Sequence, residues 1–319
     1  MSSSETTAQP ASSPTRLARF DPLFRWITTG AALTILVVLA AMVIALVSDS
    51  WESIQKFGFS FLWSDAWNPV TGEFGALTTI VGTIVSTLIA MLVAVPLAVG
   101  IAVFLSELSP QFLRPFFGTA IELLAAIPSI IYGMWGLFYL SPILADDVQP
   151  WLQEYFGYIP LFEGIPIGVG LMTAGIVLAL MILPFMTSLI RDIFLMTPPM
   201  LKESAYGLGA TTWEVIWKVV IPYGRRGIIG ALFLGLGRGL GETMAVTFVI
   251  GNAHELGWSL FNPANTIAST LANEFTEASE SLYLSSLVEL GLVLFLITFV
   301  VLSLAEKWIQ SAEKAEGKR

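Results

Sequence analysis

Arg238 and Glu242 lie in a stretch, residues 227–254, that carries no other Asp, Glu, Lys or Arg. A charged side chain at the centre of a bilayer costs about 2.5–3.5 kcal/mol on insertion scales, so both residues need a reason to be there. If the stretch is one helix, a spacing of four places both side chains on one face, where they can neutralise each other. The spacing therefore predicts either an ion pair that holds two helices together or a charged contact in a pathway.

The pathway interpretation gives the two side chains different chemistry. The planar guanidinium of Arg238 can donate two parallel hydrogen bonds to an oxyanion, which suits phosphate. Phosphate near neutral pH still carries a proton, and the Glu242 carboxylate can accept the hydrogen bond from it. Sulfate carries no such proton and would be repelled by the same carboxylate. Arg238 and Glu242 are thus predicted substrate-pathway residues, and they favour phosphate over sulfate.

Four glycines surround this pair. Small residues four positions apart allow another helix to approach closely, and each glycine costs a helix roughly 1 kcal/mol. The segment is therefore predicted to be flexible or closely packed. The glycines are Gly235, Gly237, Gly239 and Gly241.

Three more ionisable residues fall in or beside apolar stretches. Glu122 is either an interfacial acid or a weaker pathway candidate, and Pro128 is expected to kink its helix. Glu289 is predicted to make a helix–helix hydrogen bond. His254, the single histidine, is predicted to be a surface residue at the outer interface.

Helices that cross a membrane must position these residues. Of 319 residues, 55% are apolar and 12% charged, whereas a soluble domain usually has about 25% charged residues. About 20 apolar residues span a bilayer, and they must do so as a helix. The composition excludes a soluble enzyme and predicts an all-α integral membrane protein, residues 26–305, between a disordered tail at 1–25 and a second tail at 306–319. Six spans are predicted at about 26–48, 76–105, 117–140, 165–190, 228–250 and 282–304.

The distribution of charge gives an orientation. Thirteen Lys and Arg residues fall on the side of both termini and one, Lys56, on the other, so both termini are predicted to be cytoplasmic. The outer loops carry twelve acidic residues. They form either an ordinary solvated surface or a docking face for a soluble partner.

Missing residue types exclude most catalytic chemistry. The chain has no cysteine, which excludes thiolate metal sites and cysteine nucleophiles. With a single histidine, multi-histidine sites are nearly excluded too, and no phosphate-binding loop occurs. We therefore expect no catalytic site, metal or cofactor, and any ATP hydrolysis must come from another protein.

The long loop before the fifth span is predicted to form two short helices. Thr197 and the prolines after it predict a helix start, and Gly209 predicts its end. Thr211–Glu214 fits a capping box, and the second helix should stop before Pro222. This loop has more apolar surface than a solvated loop needs, and so predicts a partner. The apolar residues are Trp213, Val215, Ile216, Trp217, Val219 and Val220.

The same loop resembles the E-A-A-x3-G-x9-I-x-L-P motif of ABC importer permeases, with matching spacing throughout. Ser204 stands for Ala, Val219 for Ile and Ile221 for Leu. In that family the loop docks into a groove on a cytoplasmic ATPase, and we refer to residues 197–222 as the coupling loop. The alternative is an amphipathic helix lying on the bilayer surface. The predicted ATPase-coupling residues are Glu203, Ser204, Ala205, Gly209, Ile221 and Pro222.

A narrower resemblance covers most of the chain. Four segments, 53–58, 122–133, 202–207 and 235–246, resemble permeases of the phosphate-specific ABC importers. The resemblance implies a type I importer permease fold and a heterodimer with a second permease subunit. It also implies two copies of an ATPase subunit, an extracytoplasmic phosphate-binding protein, a bacterial inner-membrane location, and the same pathway positions, Arg238 and Glu242.

Two other functions stay open at this stage. A permease for sulfate or molybdate would have the same coupling loop. A secondary anion transporter would need no ATPase, and it predicts inverted repeats with broken helices at mid-membrane. The sequence has no convincing internal repeat, and this function leaves the paired-helix loop unexplained.

Overall fold

A computed structural model of the chain describes residues 21–316. Of the two predicted tails, 1–25 and 306–319, residues 1–20 and 317–319 lie outside this described part. The chain divides into two compact units, Met1–Ser48 and Asp49–Arg319. Helix α1, Asp21–Asp49, accounts for the described part of the first unit. It is apolar around its whole circumference, as expected of a helix surrounded by lipid.

The second unit is built from helices and one short hairpin. In the described residues, π-helical turns at Gly136–Leu140, Leu144–Val148 and Ile216–Val220 join successive helices, and another at Phe104–Leu108 ends the helix that precedes it. In chain order the elements are α2 Trp51–Phe57, β1 Trp67–Asn68, β2 Glu73–Phe74, α3 Leu77–Val103, α4 Arg114–Ala125, α5 Ser129–Trp135, α6 Ser141–Ile143, α7 Gln149–Phe156, α8 Leu171–Leu195, α9 Pro199–Gly207, α10 Thr212–Val215, α11 Ile221–Leu240, α12 Met244–Thr247, α13 Ile267–Glu274 and α14 Ser281–Glu316.

Five helices in the described residues are long and apolar enough to cross a membrane: Pro22–Asp49, Leu77–Leu108, Leu171–Leu195, Thr212–Leu240 and Ser281–Lys307. A sixth span forms if the bent pair Arg114–Ala125 and Ser129–Phe156 counts as one. The predicted all-α membrane fold is therefore confirmed, with five or six spans in the described residues.

Two predicted spans need correction. The span at 117–140 is not one helix, because the chain bends by 87° between Ala125 and Ser129, where Pro128 cannot continue the hydrogen-bond ladder. The span at 228–250 ends as a helix at Leu240, since the glycines that precede this point propagate a helix poorly.

The core of the second unit lies between α3 and α8. Four alanines spaced four apart on α3 are buried: Ala90, Ala94, Ala98 and Ala102. Their small side chains let the larger ones of α8, including Leu178 and Ile182, pack against them. Gly175 of α8 allows a similarly close contact, because a Cβ there would lie 2.7 Å from the Cβ of Ile89. Helix α11 packs against both α3 and α8, and α4 packs against α8.

A second cluster of buried side chains joins the hairpin to α13 and α14. Phe74 of β2 stacks on Tyr283 of α14 with ring centroids 5.3 Å apart. Gly82 of α3 has no room for a side chain, because a Cβ there would collide with the backbone oxygen of Asn265. These contacts fix the segment 251–266 against the end of α3 that lies away from the coupling loop.

Candidate functional site

Arg238 lies in the last turn of α11, and its side chain is exposed. Its guanidinium carbon lies 5.3 Å from the ring centroid of Phe185 on α8, and Tyr132 of α5 is also a neighbour. An exposed arginine in a membrane-length helix is too costly to face lipid, so it must face water, a partner or an anion. The structure thus places the predicted residue on an open surface between α5, α8 and α11.

Glu242 does not share a helix face with Arg238, which corrects the expectation of a four-residue pair. Because α11 ends at Leu240, Glu242 lies in the break before α12. There its Oε1 accepts a hydrogen bond from the backbone N–H of Ala245 over 3.2 Å. Among the ion pairs of residues 21–316, none joins Glu242 to Arg238. The Glu242 carboxylate thus accepts a hydrogen bond at the start of α12. The N–H donors of the Arg238 guanidinium remain available to another acceptor.

The glycines around Arg238 face in two directions. Gly235 and Gly239 lie against α8, where a Cβ on Gly235 would come 2.6 Å from Sδ of Met186 and one on Gly239 3.1 Å from Cδ1 of Ile182. The predicted close packing is therefore seen on this face. No neighbour comes closer than 3.6 Å to a Cβ built on Gly237 or Gly241, so the other face is loosely covered.

The bend after α4 opens an apolar cavity beside Arg238. The hydroxyl of Tyr132 donates to the backbone oxygen of Leu124 over 2.8 Å and bridges the bend. The cavity has a volume of about 400 Å³, and Tyr132, Leu124 and Pro184 are among its lining residues. Tyr132, which lines the cavity, is also a neighbour of Arg238. A substrate that moved along this surface would pass apolar side chains and one positive charge, that of Arg238.

Glu122 is exposed and has a partner that the sequence analysis missed. Its Oε1 lies 3.0 Å from Nη2 of Arg191, near the end of α8. In the sequence, Arg191 is one of the thirteen basic residues whose distribution predicts the orientation. No local signal shows this contact, because the two residues are 69 positions apart. The structure therefore does not bring Glu122 to the Arg238 site.

The coupling loop forms two helices, as predicted, but two details differ. Thr197 is buried and its hydroxyl has no partner among the described residues, so it does not cap α9, which Pro198 precedes. The second helix does not stop before Pro222. It continues through a π-helical turn at Ile216–Val220 into α11, because proline in the first turn of a helical segment leaves no hydrogen bond broken.

The elbow and cap of the coupling loop follow the sequence. Gly209 has φ of 86° with open space around it, as a C-terminal glycine requires. Thr211 and Glu214 form a complete capping box. Hydrogen bonds from the Thr211 backbone and from Lys218 lower the pKa of Glu214 to about 2. The start of the second helix is thus fixed by a carboxylate that stays charged at physiological pH.

The outer face of these helices is apolar and exposed. Leu208 at the elbow is 91% exposed, and Trp213 and Trp217 are 65% and 52% exposed. The two indole rings pack edge to face with centroids 5.4 Å apart. Glu203 is exposed on α9, and Ser204 bonds back to the oxygen of Met200. A surface of this kind is expected to be covered by another protein.

His254 is not the surface residue that the sequence analysis predicted. Its Nε2 lies 2.7 Å from Oε1 of Glu274, and its ring stacks on Trp67 with centroids 5.1 Å apart. The other oxygen of Glu274 accepts hydrogen bonds from the indole of Trp67 and the hydroxyl of Tyr283. Burial raises the pKa of Glu274, but these bonds and the His254 charge outweigh it and lower the pKa. The network ties the hairpin, the 251–266 segment and α13 to α14.

Glu289 of α14 is buried, and Ser53 of α2 lies beside it. Its Oε2 has no hydrogen-bond partner among the described residues. Ser53 also bonds to Ser285 and Ser286 of α14. The carboxyl group lies in a polar contact between α2 and α14.

Comparison with known proteins finds a matching family and similar proteins in several bacteria. Residues 80–312 match the family described as binding-protein-dependent transport system inner membrane component. A protein of Pasteurella multocida is 56% identical over 301 residues, which cover 93% of this chain and 94% of that protein. One of Mesorhizobium japonicum is 55% identical over 306 residues, covering 95% and 94%. Both carry the name phosphate transport system permease protein PstC.

A solved structure agrees at the level of the fold. The chain is similar to one in inward-facing conformations of the MetNI methionine ABC transporter, with a TM-score of 0.51 and 16% sequence identity. The similarity covers 74% of this chain and 94% of that one. At this identity it concerns the fold alone.

Proposed function

The chain belongs to the family of binding-protein-dependent transport system inner membrane components, and we propose that it is the phosphate-translocating permease subunit of an ATP-driven importer. The observation that carries the proposal is the extent of the likeness. The relative from Pasteurella multocida, named as a phosphate transport permease, matches 93% of the chain and is itself matched over 94% of its length. Little of either chain is left to perform a different function.

Arg238 supplies the anion contact in this proposal. Its guanidinium is exposed, has no carboxylate partner in the described residues, and lies beside an apolar cavity of about 400 Å³. An anion crossing this surface replaces lost hydration with the planar fork of the arginine. Glu242, whose carboxylate accepts the Ala245 N–H, lies in the break after α11 and is available to accept a hydrogen bond from hydrogen phosphate. The chain moves its substrate by alternating access and breaks no bond.

The energy comes from other subunits. The apolar surface of the coupling loop, with Trp213 and Trp217 exposed, suits a groove on an ATPase, of which two copies are expected. A second permease subunit completes the pore by covering the open surface around Arg238. A phosphate-binding protein docks on the acidic outer loops and delivers the anion, since these loops repel free phosphate within a screening length of about 10 Å at 0.1 M salt. The assembly lies in the bacterial inner membrane as a multi-pass complex.

Transport by the reconstituted complex tests this proposal. The chain and the proteins that co-purify with it are placed in liposomes, and uptake of radioactive phosphate and sulfate is followed with and without ATP. We expect phosphate uptake that requires ATP and the soluble binding protein, and no uptake of sulfate. ATP-independent uptake would favour a secondary transporter, and uptake of sulfate in preference to phosphate would favour the other oxyanion permeases.

A further inference from the structure

A polar cavity of about 290 Å³ lies between α4 and α8, on the side of the coupling loop. It is separate from the apolar cavity beside Arg238. Its polar lining consists of Arg114, Thr119, Glu122 and Arg191. Leu105, in the π-helical turn that ends α3, also lines the cavity.

The two arginines are held in place and still have unused donors. Nε of Arg114 donates to the backbone oxygen of Ser109 over 2.9 Å, which leaves its two terminal nitrogens without an acceptor in the described residues. Nε and Nη2 of Arg191 are taken by Asp192 and Glu122. Its Nη1 passes so close to Gly118 that a Cβ there would collide with it. The hydroxyl of Thr119 is exposed and makes no hydrogen bond within residues 21–316.

The charges around the cavity are two guanidinium groups and two carboxylates, which sum to zero but are unevenly placed. Glu122 and Asp192 both bond to Arg191 and hold it in one orientation. Arg114 has no carboxylate within 4.0 Å among the described residues and is therefore the group that favours an anion. The cavity therefore presents fixed guanidinium donors and a hydroxyl group to its interior. Guanidinium groups bind phosphate oxygens through paired, charge-assisted hydrogen bonds.

An apolar groove continues from this cavity. Pro115 and Thr119 line both, and the groove, of about 390 Å³, is completed by Phe116, Ala120 and Leu123. A phospholipid could place its headgroup among the arginines and an acyl chain along Phe116 and Leu123. Free phosphate would use only the polar part.

We propose that the cavity formed by Arg114, Thr119 and Arg191 is a second site for a phosphate group, carried by an anionic phospholipid or by inorganic phosphate. It is separate from the translocation contact at Arg238. The site does not depend on which anion the protein transports, because a headgroup binds it as well as the free ion. A test of this site is therefore independent of a test of the proposed transport function.

The absence of cysteine from the chain allows a direct test by labelling. Thr119→Cys places one thiol in the cavity, and its rate of modification by a maleimide is followed on this chain in the co-purified complex. The complex is held in phosphatidylcholine nanodiscs, with added phosphatidylglycerol in one arm and inorganic phosphate in the other. A ligand at about four times its dissociation constant should slow labelling about fivefold.

Variants make the result specific to the cavity. Arg114→Gln should abolish the protection, whereas Arg25→Gln, which removes a positive charge from α1, should leave it unchanged. Glu122→Gln should increase the protection, because it removes a negative charge from the cavity and leaves Nη2 of Arg191 paired with Asp192 alone. Protection by phosphatidylglycerol alone assigns the site to a headgroup, and protection by phosphate assigns it to the free ion. Equal labelling in all arms, or protection that survives Arg114→Gln, would overturn the proposal.

Discussion

Nζ of Lys202, on the first coupling helix, lies 2.6 Å from Oε1 of Glu107 at the end of α3. Both side chains are largely buried, at 19% and 10% exposure. The pair thus joins the coupling loop to the helix that forms the core with α8. In the proposed importer it is a direct route by which movement of the coupling loop reaches the membrane helices.

Breaking this pair should uncouple ATP hydrolysis from transport. Removing one partner of a buried pair leaves an uncompensated charge and is strongly destabilising. We expect Lys202→Gln to lower the phosphate transported per ATP hydrolysed several-fold, and the double variant Glu107→Lys with Lys202→Glu to recover most of it. The control, Lys218→Gln, breaks an exposed pair with Glu214 and should change the ratio little. An unchanged ratio in Lys202→Gln would remove the pair from the coupling route.

Thr211→Ala should loosen the start of the second coupling helix. The variant removes the hydroxyl that accepts the Glu214 N–H, so hydrogen exchange of the amides at 212–214 should become faster at neutral pH.

The pKa of Glu214 is lowered to about 2 from 4.5. A lowered pKa stabilises the folded state above the unfolded value and ceases to do so as the pH falls through the folded value. In the wild-type chain, protection should therefore be constant from pH 8 to 5 and weaken only below about 4.5; a loss near pH 6 would contradict the assignment.

Glu274→Gln should loosen the hydrogen-bond network that Glu274 forms with Trp67, His254 and Tyr283. The variant keeps the shape of the side chain but removes the charge that accepts bonds from Trp67, Tyr283 and His254. Hydrogen exchange at 64–76 and 252–266 should then be faster at pH 7. Because the pKa of Glu274 is lowered, its contribution in the wild-type chain persists from pH 7 to 5 and is lost only in more acid solution. Exchange equal to wild type at pH 7 would show that the network does not hold these segments.

Gly175→Ala should destabilise the contact between α8 and α3. Its new Cβ would lie 2.7 Å from the Cβ of Ile89, and such overpacking typically costs about 1–3 kcal/mol. The matched control is Gly230→Ala in α11, where nothing lies within 4 Å and helix propensity favours alanine by about 1 kcal/mol. The melting temperature of the purified complex should fall for the first variant and stay level or rise for the second. A fall of equal size in both would mean that the glycine contact is not the cause.

The spans could be predicted from the sequence because each is a long stretch almost free of charge. The errors in the predicted helices lie at helix ends. Pro128 was expected to kink a helix, but it ends one at an 87° bend. Pro222 was expected to end a helix, but a π-helical turn carries the chain past it. Proline removes a donor in both places, and only the packing around it decides whether the chain turns.

The candidate site was predicted in part. The type of Arg238 and its place in an apolar stretch were enough to select it. Its partner was not predictable, since four-residue spacing places Glu242 on the same face only if the helix continues. Contacts such as Lys202 with Glu107, 95 positions apart, leave no trace in a single sequence, because nothing local records which helix ends meet.

Phosphate uptake by the complex in which Arg238 and Glu242 have been exchanged tests the central claim most directly. The exchange keeps the net charge but removes the guanidinium from the surface between α5, α8 and α11. We predict uptake at least about a hundredfold below wild type, or about 2.7 kcal/mol, at equal membrane levels and with the ATPase still bound. Near-normal uptake by the exchanged variant would contradict the role of Arg238 as the anion contact.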